Sequence, residues 1–225
     1  LSAVALVAGF ITTPVASAQQ SFNFYVGGFA PRALDARAEG DVLGQNVDFL
    51  EFNIKDFSGA TVGGEWLVGM GDFFEAGLGV GFYTRTVPSV YRDFVNNNGT
   101  EIDQDLKLRV VPFTATVRFL PLGRRSAVQP YIGGGVGVYG WRYSETGQFV
   151  DFTDRSIFRD SFVGSGSAVG PVVLGGIRVP VGPMAIGGEI RYQSAKSSLP
   201  ADQEFAGSKI DLGGMNYLFT VNFGF

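Results

Sequence analysis

The stretch Met215-Asn216-Tyr217-Leu218-Phe219-Thr220-Val221-Asn222-Phe223-Gly224-Phe225 alternates strictly between two kinds of side chain. One face is apolar or aromatic throughout, whereas the other carries Asn, Thr, Gly and a single Leu. Successive side chains of a β-strand point to opposite faces, so a period of two predicts a strand with two unlike surroundings. The apolar face needs either a protein core or membrane lipid, where aromatic side chains would mark the water boundary.

Seven further segments alternate in the same way. The eight predicted strands cover residues 22–30, 60–70, 74–85, 106–119, 130–143, 169–181, 184–193 and 215–225. Short connections at 71–72, 121–129 and 182–183 alternate with long polar ones at 32–56, 87–105, 144–167 and 194–210. This rhythm predicts an all-β fold, an eight-stranded antiparallel up-and-down transmembrane β-barrel with all long loops on one rim. We expect the last strand to close the barrel on the first.

Three segments resemble a known family. The C-terminal strand, the opening Phe24-Tyr25-Val26-Gly27-Gly28 and the glycine-rich run that starts at Pro130-Tyr131 resemble small bacterial outer-membrane β-barrels of the OmpA-barrel, OmpX and opacity-protein type. The resemblance implies residence in the bacterial outer membrane, as a monomer in contact with outer-membrane lipid and lipopolysaccharide. It also implies an unknown extracellular ligand for the loops, and no cofactor or nucleic acid. The residues that it makes the signal for the outer-membrane insertion machinery are Tyr217, Phe219, Phe223 and Phe225.

The start of the chain differs from the rest. Residues 1–18 contain a short apolar run and end in Ala16-Ser17-Ala18, an A-x-A cleavage pattern. They predict a secretory signal peptide whose own start is missing, followed by one barrel domain at 19–225. The alternative is a short helix at the start of the mature domain.

Composition narrows the possible functions. The chain has 33 glycines and 21 phenylalanines, no histidine and no cysteine. Glycine is costly in helix interiors and aromatic residues suit strands, so this composition favours β structure. The lack of histidine removes the usual general base, and we expect no enzyme activity. Glu101, Asp103 and Asp105 predict a solvated acidic surface, with a divalent cation site as the alternative.

Six charged residues fall on the face predicted to line the lumen. At about 2.4 Å of height per tilted residue, all lie within roughly 20 Å of the short-turn rim. An eight-stranded barrel is just wide enough inside for side chains to fill it, so we expect a hydrogen-bonded plug of buried charges. The alternative is a gated or narrow ion path through the same network. The six residues are Glu65, Glu75, Arg118, Arg178, Glu189 and Arg191.

Two details of the wall are open to test. On strand 130–143, either the aliphatic residues Ile132, Val136 and Val138 or the opposing aromatic residues face outward, and we favour the aliphatic ones. Pro112 cannot donate to a ladder, which predicts a bulge beside it.

Three functions fit this pattern. The first is a surface protein, a structural or adhesion platform with four long acidic extracellular loops and a charge-plugged lumen. The second resembles the OmpW type, a narrow channel that passes small hydrophobic solutes through a lateral opening near Pro112. The third is a soluble lipocalin-like barrel that binds lipid inside, for which Gly64-Glu65-Trp66 supplies a weak motif match.

Overall fold

The structure is a computed structural model that describes residues 19–224. The predicted signal peptide at 1–18 and the terminal Phe225 lie outside the described residues. No helix within 19–224 has the length and apolar character to cross a membrane. In chain order the elements are β1 (Gln20–Pro31), α1 (Val42–Asn46), β2 (Leu50–Glu51), β3 (Gly59–Met70), β4 (Phe74–Val95), β5 (Glu101–Phe119), β6 (Gln129–Val150), β7 (Ile157–Val181), β8 (Met184–Gln193), β9 (Lys196–Ser198), β10 (Lys209–Asp211) and β11 (Gly214–Gly224), with 3-10 turns at Leu34–Ala36 and Ile54–Phe57.

Eight of these strands form a closed antiparallel barrel, which confirms the predicted fold class. The order around the ring is β4, β3, β1, β11, β8, β7, β6 and β5, and β5 pairs back onto β4. The last strand closes on the first, with Phe22 opposite Phe223 and Ala30 opposite Met215. Ring closure gives each of the eight strands a neighbour on both sides, which a barrel in lipid requires.

The outer wall carries an apolar belt, which is the set of exposed apolar side chains on the eight strands. Phe24 is 56% exposed and Val169 is 72% exposed. Ile132, Val136 and Val138 also face outward, whereas Tyr131 and Tyr139 point inward, so the favoured parity of β6 is confirmed. A soluble barrel that binds lipid inside would need the opposite arrangement. At the short-turn edge of the belt, the aromatic side chains Phe74 and Phe119 pack together with their ring centroids 5.3 Å apart.

The two central hairpins are longer than predicted. The segments 87–105 and 144–167, predicted as loops, are mostly strand, and their tips are residues 96–100 and 151–156. Alternation continues through them, because Val87, Tyr91 and Ile102 are buried while polar neighbours face outward. Above the belt the outer face meets water, so these strands lack the apolar exterior that marks the lower wall.

Two predicted irregularities are corrected. The β3–β4 turn has three residues, since Met70 pairs with Phe74. No bulge lies at Pro112, because Val80 opposite Phe113 and Tyr83 opposite Val110 share one register. Between them the β4–β5 ladder only lacks pairs at 81–82 and 111–112, as expected where a proline cannot donate. The register shift lies higher up, between Val90 and Val95.

The upper half of the interior is a hydrophobic core. Barrel residues such as Leu106, Leu108 and Tyr143 pack there with residues from the connection between β1 and β3. That connection, residues 32–58, is named the loop-one cap. It was predicted as a polar loop, but six of its apolar side chains turn inward at the long-loop end of the barrel. The buried ones are Val42, Leu43, Leu50, Phe52, Ile54 and Phe57.

Candidate functional site

Four of the six predicted lumen charges form one closed layer. Arg118 Nη2 lies 2.5 Å from Glu65 Oε2 and 3.0 Å from Glu189 Oε2. Arg191 Nη2 lies 2.9 Å from Glu65 Oε1 and 2.6 Å from Glu189 Oε1. Each arginine therefore contacts both carboxylates, and all four side chains are buried. Two positive and two negative charges balance within the layer, which is what buried charges require.

Uncharged neighbours complete this charge layer. Asn23 Nδ2 donates to Glu65 Oε2 at 3.2 Å, and the Tyr131 hydroxyl donates to Glu189 Oε2 at 3.1 Å. The Arg118 guanidinium lies 4.9 Å from the ring centroid of Tyr131. These partners were not singled out from the sequence, although both occupy predicted inward positions of their strands. They contact the layer because they lie at the same height along the barrel axis, and that height depends on the register between strands.

Glycines make room for the large lumen side chains. A Cβ atom on Gly63 would lie 2.3 Å from the Tyr25 hydroxyl oxygen, and one on Gly79 would lie 2.7 Å from Glu65 Cγ. Neither distance is compatible with a side chain at the glycine position. The alternating glycines of the inward faces therefore serve packing within the barrel.

The other two predicted charges form a separate group nearer the short turns. Arg178 Nη2 and Nη1 donate to the two oxygens of Glu75 at 2.5 and 3.1 Å. Arg124 Nε lies 3.4 Å from Glu75 Oε1, and Gln129 Oε1 accepts from Arg178 Nε at 2.7 Å. A cavity of about 180 Å³ opens at this end of the lumen and is lined by Glu75, Arg178, Arg124 and Gln129. Arg124 was predicted only as part of a short connection, because nothing in the sequence shows that it folds back into the barrel mouth.

The loop-one cap is fastened by a third set of buried charges. Asp211 accepts from Arg32 Nη1 at 2.9 Å and from the Ala38 amide at 3.0 Å. Arg37 Nε donates to Asp41 Oδ2 at 2.5 Å, and Asp41 Oδ1 accepts from the Asp211 amide at 2.7 Å. These contacts join the cap to the connection between β8 and β11. Asp41, in a connection predicted as an acidic loop, and Asp211, directly after another such connection, are therefore buried.

A single carboxyl group connects α1 to β6. Glu145 Oε1 accepts from Asn46 Nδ2 at 2.6 Å and from the Tyr143 hydroxyl at 2.9 Å. Glu145 lies on β6 beyond the exposed Arg142, above the apolar belt. Burial raises the pKa of Glu145, and the two hydrogen bonds only partly offset that effect.

Solved structures with the same fold are outer-membrane proteins. The outer membrane protein OprG from Pseudomonas aeruginosa matches with a TM-score of 0.57 at 13% identity, over 92% of this chain and 96% of that one. The fold is that of a small outer-membrane β-barrel. Neisserial surface protein A matches at 12% identity over 92% of this chain and 97% of that one, with a TM-score of 0.49. No protein-family model matches the chain. No curated protein matches it in sequence.

The belt of this outer-membrane β-barrel fold includes three of the four expected insertion-signal residues. Tyr217, Phe219 and Phe223 are 54%, 52% and 42% exposed on the outer face of β11. Phe225 lies outside the described residues. The outward position suits both lipid contact and recognition, so it does not separate the two roles, and the insertion signal stays a prediction.

Charged residues of opposite sign follow one another above the belt. The basic residues Lys107, Arg109 and Arg142 face outward and are named the basic ledge. Arg109 pairs across the ladder with Arg142, and the three share a depression of about 430 Å³ with Phe82 at the belt edge. Within residues 19–224, none of the three is ion-paired.

Higher on the same face, the exposed acids are Glu101, Asp103 and Asp105. The described residues contain no grouping of three acids arranged to hold a metal ion.

Proposed function

We propose that this protein is a bacterial outer-membrane surface protein in which the barrel is a closed platform. Its function is carried by the extracellular extension, which consists of the loop-one cap and the parts of β4 to β7 above the belt. The observation that supports the proposal is the combination of a charge layer inside the barrel with two long hairpins. On this proposal, the charge layer and the loop-one cap obstruct the interior at two heights. Meanwhile β4 continues from Phe82 at the belt to Val95, which corresponds to roughly 30 Å of tilted strand above the membrane.

The partners follow from the outer surface. The basic ledge lies about 10 Å above Phe113 on β5, the height at which lipid phosphates begin, so we propose that it contacts lipopolysaccharide phosphates. The apolar belt would hold outer-membrane lipid, and the C-terminal strand would be read by the insertion machinery. The protein would act as a monomer, without enzyme activity, through an extracellular ligand of the loops.

Labelling of single cysteines tests this orientation. The chain has no cysteine, so Asn97→Cys in the β4–β5 tip and Arg125→Cys in a short connection each supply one thiol. In intact cells, a membrane-impermeant maleimide should label Asn97→Cys alone, whereas lysed cells should show both. Labelling of Arg125→Cys in intact cells would reverse the orientation. Release of the protein from washed membranes by alkali without detergent would defeat membrane insertion altogether.

A second candidate is a narrow channel for small hydrophobic solutes. The observations that favour it are the apolar upper lumen and the missing ladder pairs between β4 and β5 at 81–82 and 111–112. A solute would enter beneath the cap and leave sideways through that gap. However, the core residues of the upper lumen are packed against the cap, which favours the platform.

A disulfide across the gap separates the two candidates. Phe82→Cys with Val111→Cys places one thiol on each side of the unpaired segment, in the shared register of these strands. Oxidation should abolish uptake of small apolar probes into proteoliposomes if the gap is an exit. On the platform proposal, the oxidised and reduced proteins should behave alike, with no uptake above protein-free liposomes.

A further inference from the structure

A cavity in the extracellular extension has the chemistry of a binding site. It measures about 490 Å³ and lies among the β4–β5 hairpin, the β6–β7 hairpin and the loop-one cap. That volume is within the usual range of small-molecule sites. It lies above the apolar belt and outside the charge layer, so neither the lumen nor the basic ledge accounts for it.

Six of the thirteen residues that line the cavity are aromatic. Phe149 stacks on Phe158 with centroids 5.7 Å apart and meets Phe162 edge to face at 4.7 Å. In the same lining, the ring centroid of Phe49 lies 5.9 Å from that of Tyr91. Ring faces carry partial negative charge, and an aromatic enclosure therefore favours a cation with an apolar body.

Two polar residues that line the cavity carry acceptor atoms without a protein donor. Gln104 is 3% exposed and its Nε2 donates to the Tyr91 hydroxyl and the Gln148 carbonyl, whereas its Oε1 meets no donor within residues 19–224. Both donors to the Glu145 carboxyl bond Oε1, so within the same residues Oε2 has no protein donor. A buried acceptor without a donor is costly, so a ligand N–H group would satisfy Gln104 Oε1, and it would also pair with Glu145 Oε2.

The charges of the lining have one sign. Glu145, Asp151 and Glu204 line the cavity, and in the described part of the chain no Lys or Arg does. The two partners of Glu145, Asn46 and Tyr143, are both uncharged. A ligand cation would therefore supply the countercharge that this carboxyl lacks.

We propose that this cavity, named the aromatic acidic pocket, binds a small organic ammonium compound with an aromatic or other apolar body. The ammonium group lies against Glu145 and the Oε1 atom of Gln104, and the apolar body lies between the Phe149–Phe158 pair and Phe49. Binding in this pocket does not depend on whether the lumen conducts, so the proposal applies to either candidate function.

Three probes that each contain a phenyl ring, but differ in charge, test whether the pocket requires a cation. Phenethylamine is a cation at neutral pH, 2-phenylethanol is its neutral near-isostere, and phenylacetate is an anion. Calorimetric titration of the folded full chain in nonionic detergent, corrected by titration into detergent alone, should show the cation binding about tenfold more tightly than the alcohol. Phenylacetate should not bind. Equal affinity for the cation and the alcohol, or no cation binding at millimolar concentration, would overturn the proposal.

Matched variants test the residues. Glu145→Gln should remove most of the preference for the cation while leaving alcohol binding within about twofold, because it deletes the charge and keeps the shape. Glu101→Gln makes the same charge change at an exposed site away from the pocket and should leave cation binding unchanged. Phe158→Leu keeps apolar volume but removes a ring face, so it should weaken the cation more than the alcohol. Equal effects of Glu145→Gln and Glu101→Gln, in proteins that both show the heat-modifiable shift of a folded barrel, would contradict the assignment.

Discussion

At the scale of single residues, the lumen is defined by how its charges are shared. Glu65 and Glu189 each serve both Arg118 and Arg191, so no single ion pair stands alone. Bringing four charges out of water is expensive, and their mutual attraction offsets that cost only while the set is complete. The layer therefore specifies one arrangement of side chains inside the barrel, and loss of one member leaves the others poorly compensated.

Replacement of Glu65 should reveal this dependence. Glu65→Gln leaves two buried arginines facing one carboxylate, and we expect the free energy of unfolding to fall by about 3–5 kcal/mol. Urea unfolding of the folded barrel in detergent measures the change. The control Glu101→Gln removes an exposed carboxylate and should alter the same quantity by at most about 0.5 kcal/mol. Similar values for the two variants would show that the charge layer adds nothing specific.

The buried carboxyl of the extension should make stability depend on pH. Because burial raises the pKa of Glu145 above its usual range, the folded state favours the neutral acid. Stability from this residue is present at low pH and declines as pH rises through the raised pKa. Glu145→Gln mimics the neutral acid, so its free energy of unfolding should match wild type near pH 4.5 and exceed it at pH 8. A constant difference at both pH values, or a relative gain by wild type at pH 8, would contradict this reading.

Single residues also show what alternation can and cannot predict. The inward face of each strand follows from its period, and all six predicted lumen charges lie on it. Which carboxylate meets which arginine depends on register around the ring, which alternation does not contain. Glu75 therefore pairs with Arg178 and Arg124, away from the other four residues.

At the scale of elements, the loop-one cap departs most from the sequence-based expectation. An acidic segment with scattered apolar residues gives no strand or helix period, so its inward packing could not be predicted. The long hairpins were missed for the opposite reason, since their alternation is present but lacks an apolar outer face. The Pro112 bulge was predicted from a correct premise, the missing donor, but the strand tolerates a local gap without changing register.

Unfastening the cap should expose it without opening the barrel. Asp211→Asn weakens the contacts with Arg32 and Ala38, and charge-assisted hydrogen bonds of this kind are worth about 1.5–3 kcal/mol each. We expect trypsin to cleave the cap at least about tenfold faster, while the heat-modifiable gel shift of the barrel stays unchanged. Asp202→Asn, at an exposed position of the same connection, is the control. Unchanged cleavage in Asp211→Asn would show that the cap is held by its apolar side chains alone.

The C-terminal strand carries a separate prediction about assembly. If Phe225 belongs to an insertion signal, Phe225→Asn should lower the amount of barrel that reaches the membrane more than it lowers the stability of barrel already folded. Quantification of heat-modifiable protein in membranes, beside urea unfolding of the purified variant, gives the two values. Equal losses in both would indicate a packing role.

At the scale of the whole molecule, the barrel divides into two halves along its axis. The half near the short turns holds the six lumen charges, and the half near the long connections holds a hydrophobic core completed by the cap. Outside, the apolar belt surrounds the lower wall and the extension rises above it. The belt and the ring closure were predictable because contact with lipid imposes a strict period of two on the strands. The cap and the extension contact water and each other, and these contacts impose no such period.

The central claim, a membrane barrel closed by its own side chains, is tested most directly by single-channel recording. Purified wild-type protein, first shown to be folded by its heat-modifiable gel shift, is reconstituted in planar bilayers. We expect no steady conductance above that of the lipid alone, because the charge layer and the loop-one cap both obstruct the path. Steady conductance well above this baseline would contradict the account and favour an ion path through Glu65, Glu189 and their arginine partners.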